Sequence, residues 1–214
     1  AQRYSVPVRR VSAELVAASE RSQAIPAIAT LDDGAVLIDA MSDQRGASVV
    51  LGAALRRRSR PGRHGELRGH PRRNRLASLV DDPRNVNLLG VEQSNTSALI
   101  DNRLIAKLVR RLEPGLNPDV ELPVHLAAAG FDLVPGVAAT LELDLRGESV
   151  PATVVIVHDA ITHESDLWTK VLDDLGLAID LGVPFDTASD DVGASIATLL
   201  GRRTAEMHLA LARA

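Results

Sequence analysis

Cysteine is absent from the 214 residues. That excludes disulfides, thiolate metal sites and a cysteine nucleophile, and it fits a reducing compartment, so a cytoplasmic protein is expected. Aromatic residues make up 2% of the chain, so its core must be assembled from Ala, Val, Leu and Ile. Lysine occurs only at Lys107 and Lys170, and any chemistry that needs an ammonium group has just these two candidates. No apolar run approaches the roughly 18 residues that span a bilayer, and the N-terminus shows no signal-peptide pattern. The chain starts at Ala1 without an initiator Met, and it is expected to be part of something longer.

What is present points to a folded protein. With 45% apolar and 24% charged residues, a chain of one or two domains hides roughly 70% of its unfolded surface. Disorder and collagen-like repeats are excluded. The formal charge of −4 is unevenly spread. Residues 56–75 hold nine arginines (56, 57, 58, 60, 63, 68, 72, 73 and 75) against Glu66, a local +8, so the remainder carries −12. This stretch has no helical or strand period and reads as a solvated linker at a domain boundary. An anion or nucleic-acid patch is the sharper alternative. No aromatic in the segment offers a base a stacking surface, so a nucleic-acid partner is not expected.

Ahead of that break, Tyr4–Val8 reads as an edge strand carrying Pro7. Residues 27–31 and 35–38 flank Asp32-Asp33-Gly34 as a hairpin, and a helix is expected over 48–55. Beyond it, strands are expected at 88–91 and 98–100 around the polar loop 92–97, with a third at 104–109. Asn117 and Pro118 announce a helix as N-cap and first helical residue. Residues 139–145 and 153–157 form a hairpin about Arg146-Gly147-Glu148, followed by helices over 167–175 and 194–211. This strand–loop–strand–strand–helix–strand–strand order is that of the small lobe of a protein-kinase-like fold. In such a lobe, small polar loop residues cradle phosphate oxygens, and a strand lysine pairs with phosphates and with a helix glutamate. Lys107, ten residues after Ser97, and Glu121, just inside the next helix, stand in that order.

Three runs carry a family resemblance: Gly90-Val91-Glu92-Gln93-Ser94-Asn95-Thr96-Ser97, then Leu104-Ile105-Ala106-Lys107-Leu108-Val109-Arg110-Arg111-Leu112-Glu113-Pro114-Gly115, then Asn117-Pro118-Asp119-Val120-Glu121. Together they closely resemble bacterial maltokinases, which phosphorylate maltose from ATP on an aminoglycoside-phosphotransferase-like kinase fold. Tyr4-Ser5-Val6-Pro7 and Ile38-Asp39-Ala40 with Asp43 look like that family's N-terminal cap subdomain. Thr153 to Trp168 resembles its hinge strand and following Asp-x-Trp, and Leu200–Ala212 the first helix of its large lobe. The resemblance implies an α+β fold made of a cap subdomain and a kinase-like small lobe with an antiparallel sheet, ending in the first large-lobe helix. The corresponding divisions are 1–80 (cap with the arginine-rich linker), 81–176 (small lobe and hinge) and 177–214 (the start of the large lobe).

The nucleotide-binding residues implied are Ser94, Asn95, Thr96, Ser97, Lys107, Glu121, Val157 and Asp159, and the cofactors are ATP and Mg²⁺. The implied partners are maltose or a related sugar such as glucosamine, a large-lobe chain, trehalose synthase (to which some relatives are fused) or a second copy. A second copy would cover the apolar stripe of the last helix. Pro123 departs from the pattern and is expected to kink or shorten the helix holding Glu121. His158, Ala160, His163 and Ser165 depart from it in the hinge. His158 and His163 lack a third metal ligand, and Asp166 and Trp168 read as a helix cap and a core aromatic. Phosphoryl transfer also needs a catalytic Asp and Mg²⁺ ligands. His64-Gly65-Glu66, Asp173-Asp174 and Asp190-Asp191 are not credible sources of them. The chain is therefore expected to resemble the front part of a sugar kinase, inactive by itself, with a noncatalytic nucleotide-binding or scaffold protein as the alternative.

Overall fold

The computed structural model describes residues 2–19, 25–91, 95–163, 165–183 and 192–213. It is a mixed α+β structure whose sheets are antiparallel throughout. Two compact units are present: residues 1–124 with 135–160, and residues 125–134 with 161–214. No helix among the described residues is long and apolar enough to cross a membrane.

The first unit begins with short elements. Strand β1 (Arg3–Tyr4) pairs with β10 (Arg111–Leu112), while β2 (Val8–Val11), β3 (Ala27–Thr30) and β4 (Val36–Asp39) form a sheet ordered β2-β4-β3. The expected single strand over Tyr4–Val8 is thus two strands serving two sheets. Pro7 lies between them; it has no N–H for a ladder, and its carbonyl accepts a bond from the Ala40 amide at 2.8 Å. Helix α1 (Ala13–Ser19) lies between β2 and β3, and helix α2 (Gln44–Ala54) follows β4. α2 begins four residues ahead of the expected start because Asp43 caps it, accepting from the Gly46 amide at 3.1 Å.

The main sheet has seven strands in the order β5-β6-β11-β12-β9-β8-β7. These are β5 (Ser59–Pro61), β6 (Gly65–Pro71), β7 (Val86–Val91), β8 (Asn95–Ile100), β9 (Leu104–Val109), β11 (Val137–Leu145) and β12 (Ala152–Asp159). The hairpins expected about Asp32-Asp33-Gly34 and Arg146-Gly147-Glu148 are there. The expected loop 92–97 is not all loop, because Asn95, Thr96 and Ser97 already pair with Val109, Leu108 and Lys107 as the start of β8, and 92–94 lie outside the described residues. The expected linker is not there. Residues 59–71 form two strands of this sheet, with β6 in register with β11 from Gly65↔Leu145 to Pro71↔Ala139. The charge hid the strand because β6 lies near the sheet edge, where arginines point to solvent and to acids. Arg68 pairs with Glu66 and Asp144, Arg56 with Asp81 and Arg73 with Asp159. Arg58, Arg60, Arg63, Arg72 and Arg75 are exposed.

On one face of the sheet lies the core. Ala47, Leu51 and Ala54 of α2 share a cluster with Ala98, Ile100, Ala106, Leu108, Ala139, Leu141, Val155 and Val157. The scarcity of aromatics is met by alanines on both surfaces, which let the helix approach the strands closely. β9 alternates cleanly, with Leu104, Ala106 and Leu108 buried and Ile105, Lys107 and Val109 less so. Strand β12, paired on both sides, is buried from Ala152 to His158. Its run of Thr153-Val154-Val155-Ile156-Val157 is the pattern of a strand covered on both faces.

After β10, helix α3 (Pro118–Ala128) passes through Pro123 without ending. A proline there removes only the amide that would bond the Asp119 carbonyl, close to the helix start, where few bonds precede it. In the second unit, α4 (Leu167–Leu181) is capped by Asp166, which accepts from the Thr169 amide at 2.7 Å. Gly182 closes it in the left-handed conformation, at φ 64°. The helix outruns the expected 175 because nothing before Gly182 stops it. Trp168 is 72% exposed on this helix, so it is not a core aromatic. Helix α5 (Val192–Leu211) exposes Leu199, Leu200 and Leu209, the stripe its periodicity announces.

Candidate functional site

The site grows from one register. Ser97 on β8 lies directly opposite Lys107 on β9, and Lys107 opposite Ile156 on β12. Directly opposed residues in an antiparallel pair point to the same face, so Ser97 and Lys107 share the face turned away from α2. The Lys107 Nζ is 3.3 Å from Asp119 Oδ2 in α3. Asn117 sets that helix's first turn by accepting from the Asp119 amide at 2.9 Å. Asp119 also stands at the positive end of the helix, where a carboxylate is favoured.

Glu121, the expected partner, does not meet the lysine; it is exposed. Two residues along a helix turn it about 200° from Asp119. Once Asp119 faces Lys107, Glu121 must face elsewhere. In Asn117-Pro118-Asp119-Val120-Glu121 the contact with Lys107 is made by Asp119.

The other expected residues separate by face. Asn95 shares the face of Ser97, two residues on, and lies opposite Val109. Thr96 points the other way. It is buried, and its hydroxyl accepts bonds from Arg110 Nε at 3.0 Å and Nη2 at 2.7 Å. Ser94 lies outside the described residues. Val157 is fully buried on the α2 side, opposite Ala106 and Ala139, so its side chain meets core. Asp159 ends β12. Its amide donates to the Gly136 carbonyl at 2.9 Å, and its carboxylate pairs with Arg73. A Cβ on Gly136 would sit 2.7 Å from Asp159 Oδ2, so a larger residue there would make the carboxylate shift. The structure therefore gathers Ser97, Lys107 and Asp119, and sets Glu121, Thr96 and Val157 apart from them.

One neighbour was read only as a departure from the family pattern. His158 lies opposite Ile105, two residues from Lys107 on the same face, which makes it a diagonal neighbour of the lysine. It is 9% exposed, and its Nδ1 is buried without a hydrogen-bond partner among the described residues. Its pKa is lowered, first by burial and then by the Lys107 ammonium, against the opposing pull of Asp119, the Pro135 carbonyl and Asp159. A signal for it existed in the alternation of β12, which puts residue 158 on the face of 156 and 154.

The depressed His158 value has a pH consequence. The unfolded imidazole takes up a proton near pH 6.5 while the folded one resists it, so the folded state is favoured above that value and loses the advantage as pH falls below it. Unfolding free energy measured in urea is expected to decline between about pH 7.5 and about pH 5.5, and His158→Gln to flatten the decline. An unchanged slope in the variant would refute this assignment.

Among the described residues no group of three or more His, Asp or Glu side chains is placed to hold a metal ion. Asp173 and Asp174 lie on α4, where Asp174 pairs with Lys170, and Asp190-Asp191 lies outside the described residues. The described residues thus bring together no carboxylate cluster that fits Mg²⁺.

No family model matches the chain. Solved structures similar to it include glucosamine kinases. One, in complex with glucosamine, ADP and inorganic phosphate, aligns over 100% of this chain and 41% of its own, with 21% identity and a TM-score of 0.47. Two further crystal forms align over 78% and 88% of this chain, at 22% and 20% identity and TM-scores of 0.46 and 0.44. The chain spans about two fifths of the length of these structures.

Proposed function

We propose that this chain is the nucleotide-holding part of an ATP-dependent sugar kinase. The observation that carries the reading is the Lys107–Asp119 pair beside Ser97, on the face of an antiparallel sheet turned away from its core. Phosphoryl transfer is largely positioning and charge neutralisation. ATP supplies the phosphoryl group, and what this chain offers it is an ammonium and a hydroxyl. The Lys107 Nζ, one-third exposed and paired with Asp119 among the described residues, has further N–H donors to offer phosphate oxygens. Ser97, 6% exposed, lies on the same face and adds one O–H donor beside the lysine. Asp119 keeps the ammonium from swinging into solvent.

Maltose is the sugar favoured by the Glu92–Ser97 and Asn117–Glu121 wording. Glucosamine is the second to be tried, being the sugar bound in one of the similar structures. The base that activates the sugar hydroxyl and the ligands for Mg²⁺ are assigned to residues outside those described here.

The test is a calorimetric titration of the chain with ADP, followed by a coupled kinase assay with maltose and with glucosamine. The assay is run on the chain alone and with the large lobe of a maltokinase added in trans. ADP binding without turnover by the isolated chain, and turnover on addition of the lobe, is the expected result. Absence of ADP binding in both states would refute the nucleotide reading. Turnover by the chain alone, comparable to a complete sugar kinase, would refute the division of labour.

A further inference from the structure

Behind the sheet, opposite the candidate site, Arg110 is tied to three separate stretches of chain. Its Nη2 lies 2.7 Å from Asp39 Oδ2 at the end of β4. Its Nε and Nη2 donate to the Thr96 hydroxyl at 3.0 and 2.7 Å. Its Nη1 reaches the Ser5 carbonyl at 3.5 Å, while its own carbonyl accepts from the Ser5 amide at 2.7 Å. Both charged side chains are largely shielded, Arg110 at 19% and Asp39 at 24% exposure. Asp39 is itself fixed, since its Oδ1 accepts from the Met41 amide at 2.8 Å.

The position of these groups gives the network a purpose. Thr96 precedes Ser97, and Arg110 follows Lys107 by three residues at the end of β9. The two strand residues that form the candidate site thus have their neighbours pinned by one guanidinium. A planar fork is suited to this, because it bonds a hydroxyl and a carboxylate in fixed directions where an ammonium on a flexible stem does not. The other end of the tie is Asp39, in the sheet formed by β2, β3 and β4. Neither Arg110 nor Asp39 touches the face that carries Lys107.

We propose that Arg110 is a positioning residue, clamping the N-terminal sheet through Asp39 to Thr96, and so holding the Ser97–Lys107 register for phosphate. The role in nucleotide binding rests on the function proposed above; the clamp itself does not. Without the Asp39 anchor, the guanidinium keeps its bonds to Thr96 but loses the fixed point that orients it. The start of β8 then gains freedom relative to β9.

The full chain carrying Asp39→Asn, Arg110→Lys or both provides the test. Asn at 39 keeps the oxygen that caps Met41, and Lys at 110 keeps the charge, so both variants are expected to fold. Amide hydrogen exchange is read first, because it needs no ligand. Exchange at Asn95–Ser97 and at the end of β9 is expected to quicken roughly tenfold in either variant while β11 and β12 stay unchanged. ADP affinity, by calorimetry, is expected to fall several-fold in each single variant and no further in the double, because one network is broken in all three. Exchange that is unaltered, or raised evenly across the sheet, would overturn the clamp. Additive affinity losses, or affinity unchanged despite faster exchange, would overturn its link to the site. Wild-type chain that binds no ADP would defeat the function proposed above, and exchange alone would then decide whether the clamp exists.

Discussion

Lys107→Ala is expected to weaken ADP binding by roughly ten- to a hundredfold, with little change in unfolding free energy. The affinity follows from what is removed. A hydrogen bond to a charged group contributes about 1.5–3 kcal/mol net, and each 1.4 kcal/mol is a factor of about ten in Kd. The stability follows from where Lys107 sits. Its side chain is one-third exposed and its partner Asp119 half-exposed, and ion pairs near solvent contribute roughly 0–1 kcal/mol. Lys107→Arg keeps the charge but not the compact shape and should recover part of the affinity. Glu121→Ala, altering an exposed side chain outside the Lys107 contact, should leave ADP binding as it was. Calorimetric titration of the three variants checks all of this. Wild-type affinity in Lys107→Ala would remove the lysine from the site, and a loss in Glu121→Ala as large as that in Lys107→Ala would restore the pairing that the structure replaces.

Gly69→Ala is expected to cost the first unit about 3–5 kcal/mol, enough to leave it partly unfolded at room temperature. Gly69 lies within β6, opposite Leu141, and is buried. A Cβ built on it would overlap the carbonyl oxygens of Ala53 and Arg56, at the end of α2. Both obstacles are backbone, so no rotamer change relieves them, and α2 must lift from a sheet it shares a core with. Urea unfolding followed by circular dichroism measures the loss. The same substitution in a solvated linker would be neutral, so a change within about 0.5 kcal/mol would argue against the pairing of β6 with β11.

Gly69 also shows why the arginine-rich segment misled. Strand periodicity is visible in a sequence only when one face is buried and apolar. In Gly65–Pro71 one face holds Gly65, Leu67, Gly69 and Pro71, with leucine its single large aliphatic, and the other carries Glu66, Arg68 and His70. A glycine leaves no hydrophobic mark, although at position 69 the backbone of Ala53 and Arg56 leaves no room for a Cβ. The central strands were legible for the opposite reason. β9 alternates, β12 is a continuous β-branched run, and both hairpins about β4 and β11 carry their turn residues in view. Trp168 was misjudged because the residue type suggests burial while the helix face decides it.

The candidate site divides in the same way. That Lys107 lies on a strand ahead of a capped helix followed from residue order alone. Which acid meets it did not, because Asp119 and Glu121 are equivalent in charge and nearly so in position. Only the rotation of α3, set by its Asn117 cap, separates them. The buried His158 and the Arg110–Asp39–Thr96 network depend on residues far apart in the chain, and no local pattern joins them.

The sequence by itself determined the absence of thiol chemistry, the aliphatic core, the order of strands and helices around Lys107, and the scarcity that made this lysine the candidate. Those properties are local or additive, fixed by composition, period and turn chemistry. The tertiary structure decided the rest. It turned the most charged segment into sheet, gave Lys107 to Asp119, buried Thr96 and Val157 away from the site, and brought Asp39 to Arg110. Each of these depends on which strands are neighbours and which face of each element is turned inward, quantities set by the packing of the whole unit and carried by no single stretch of chain.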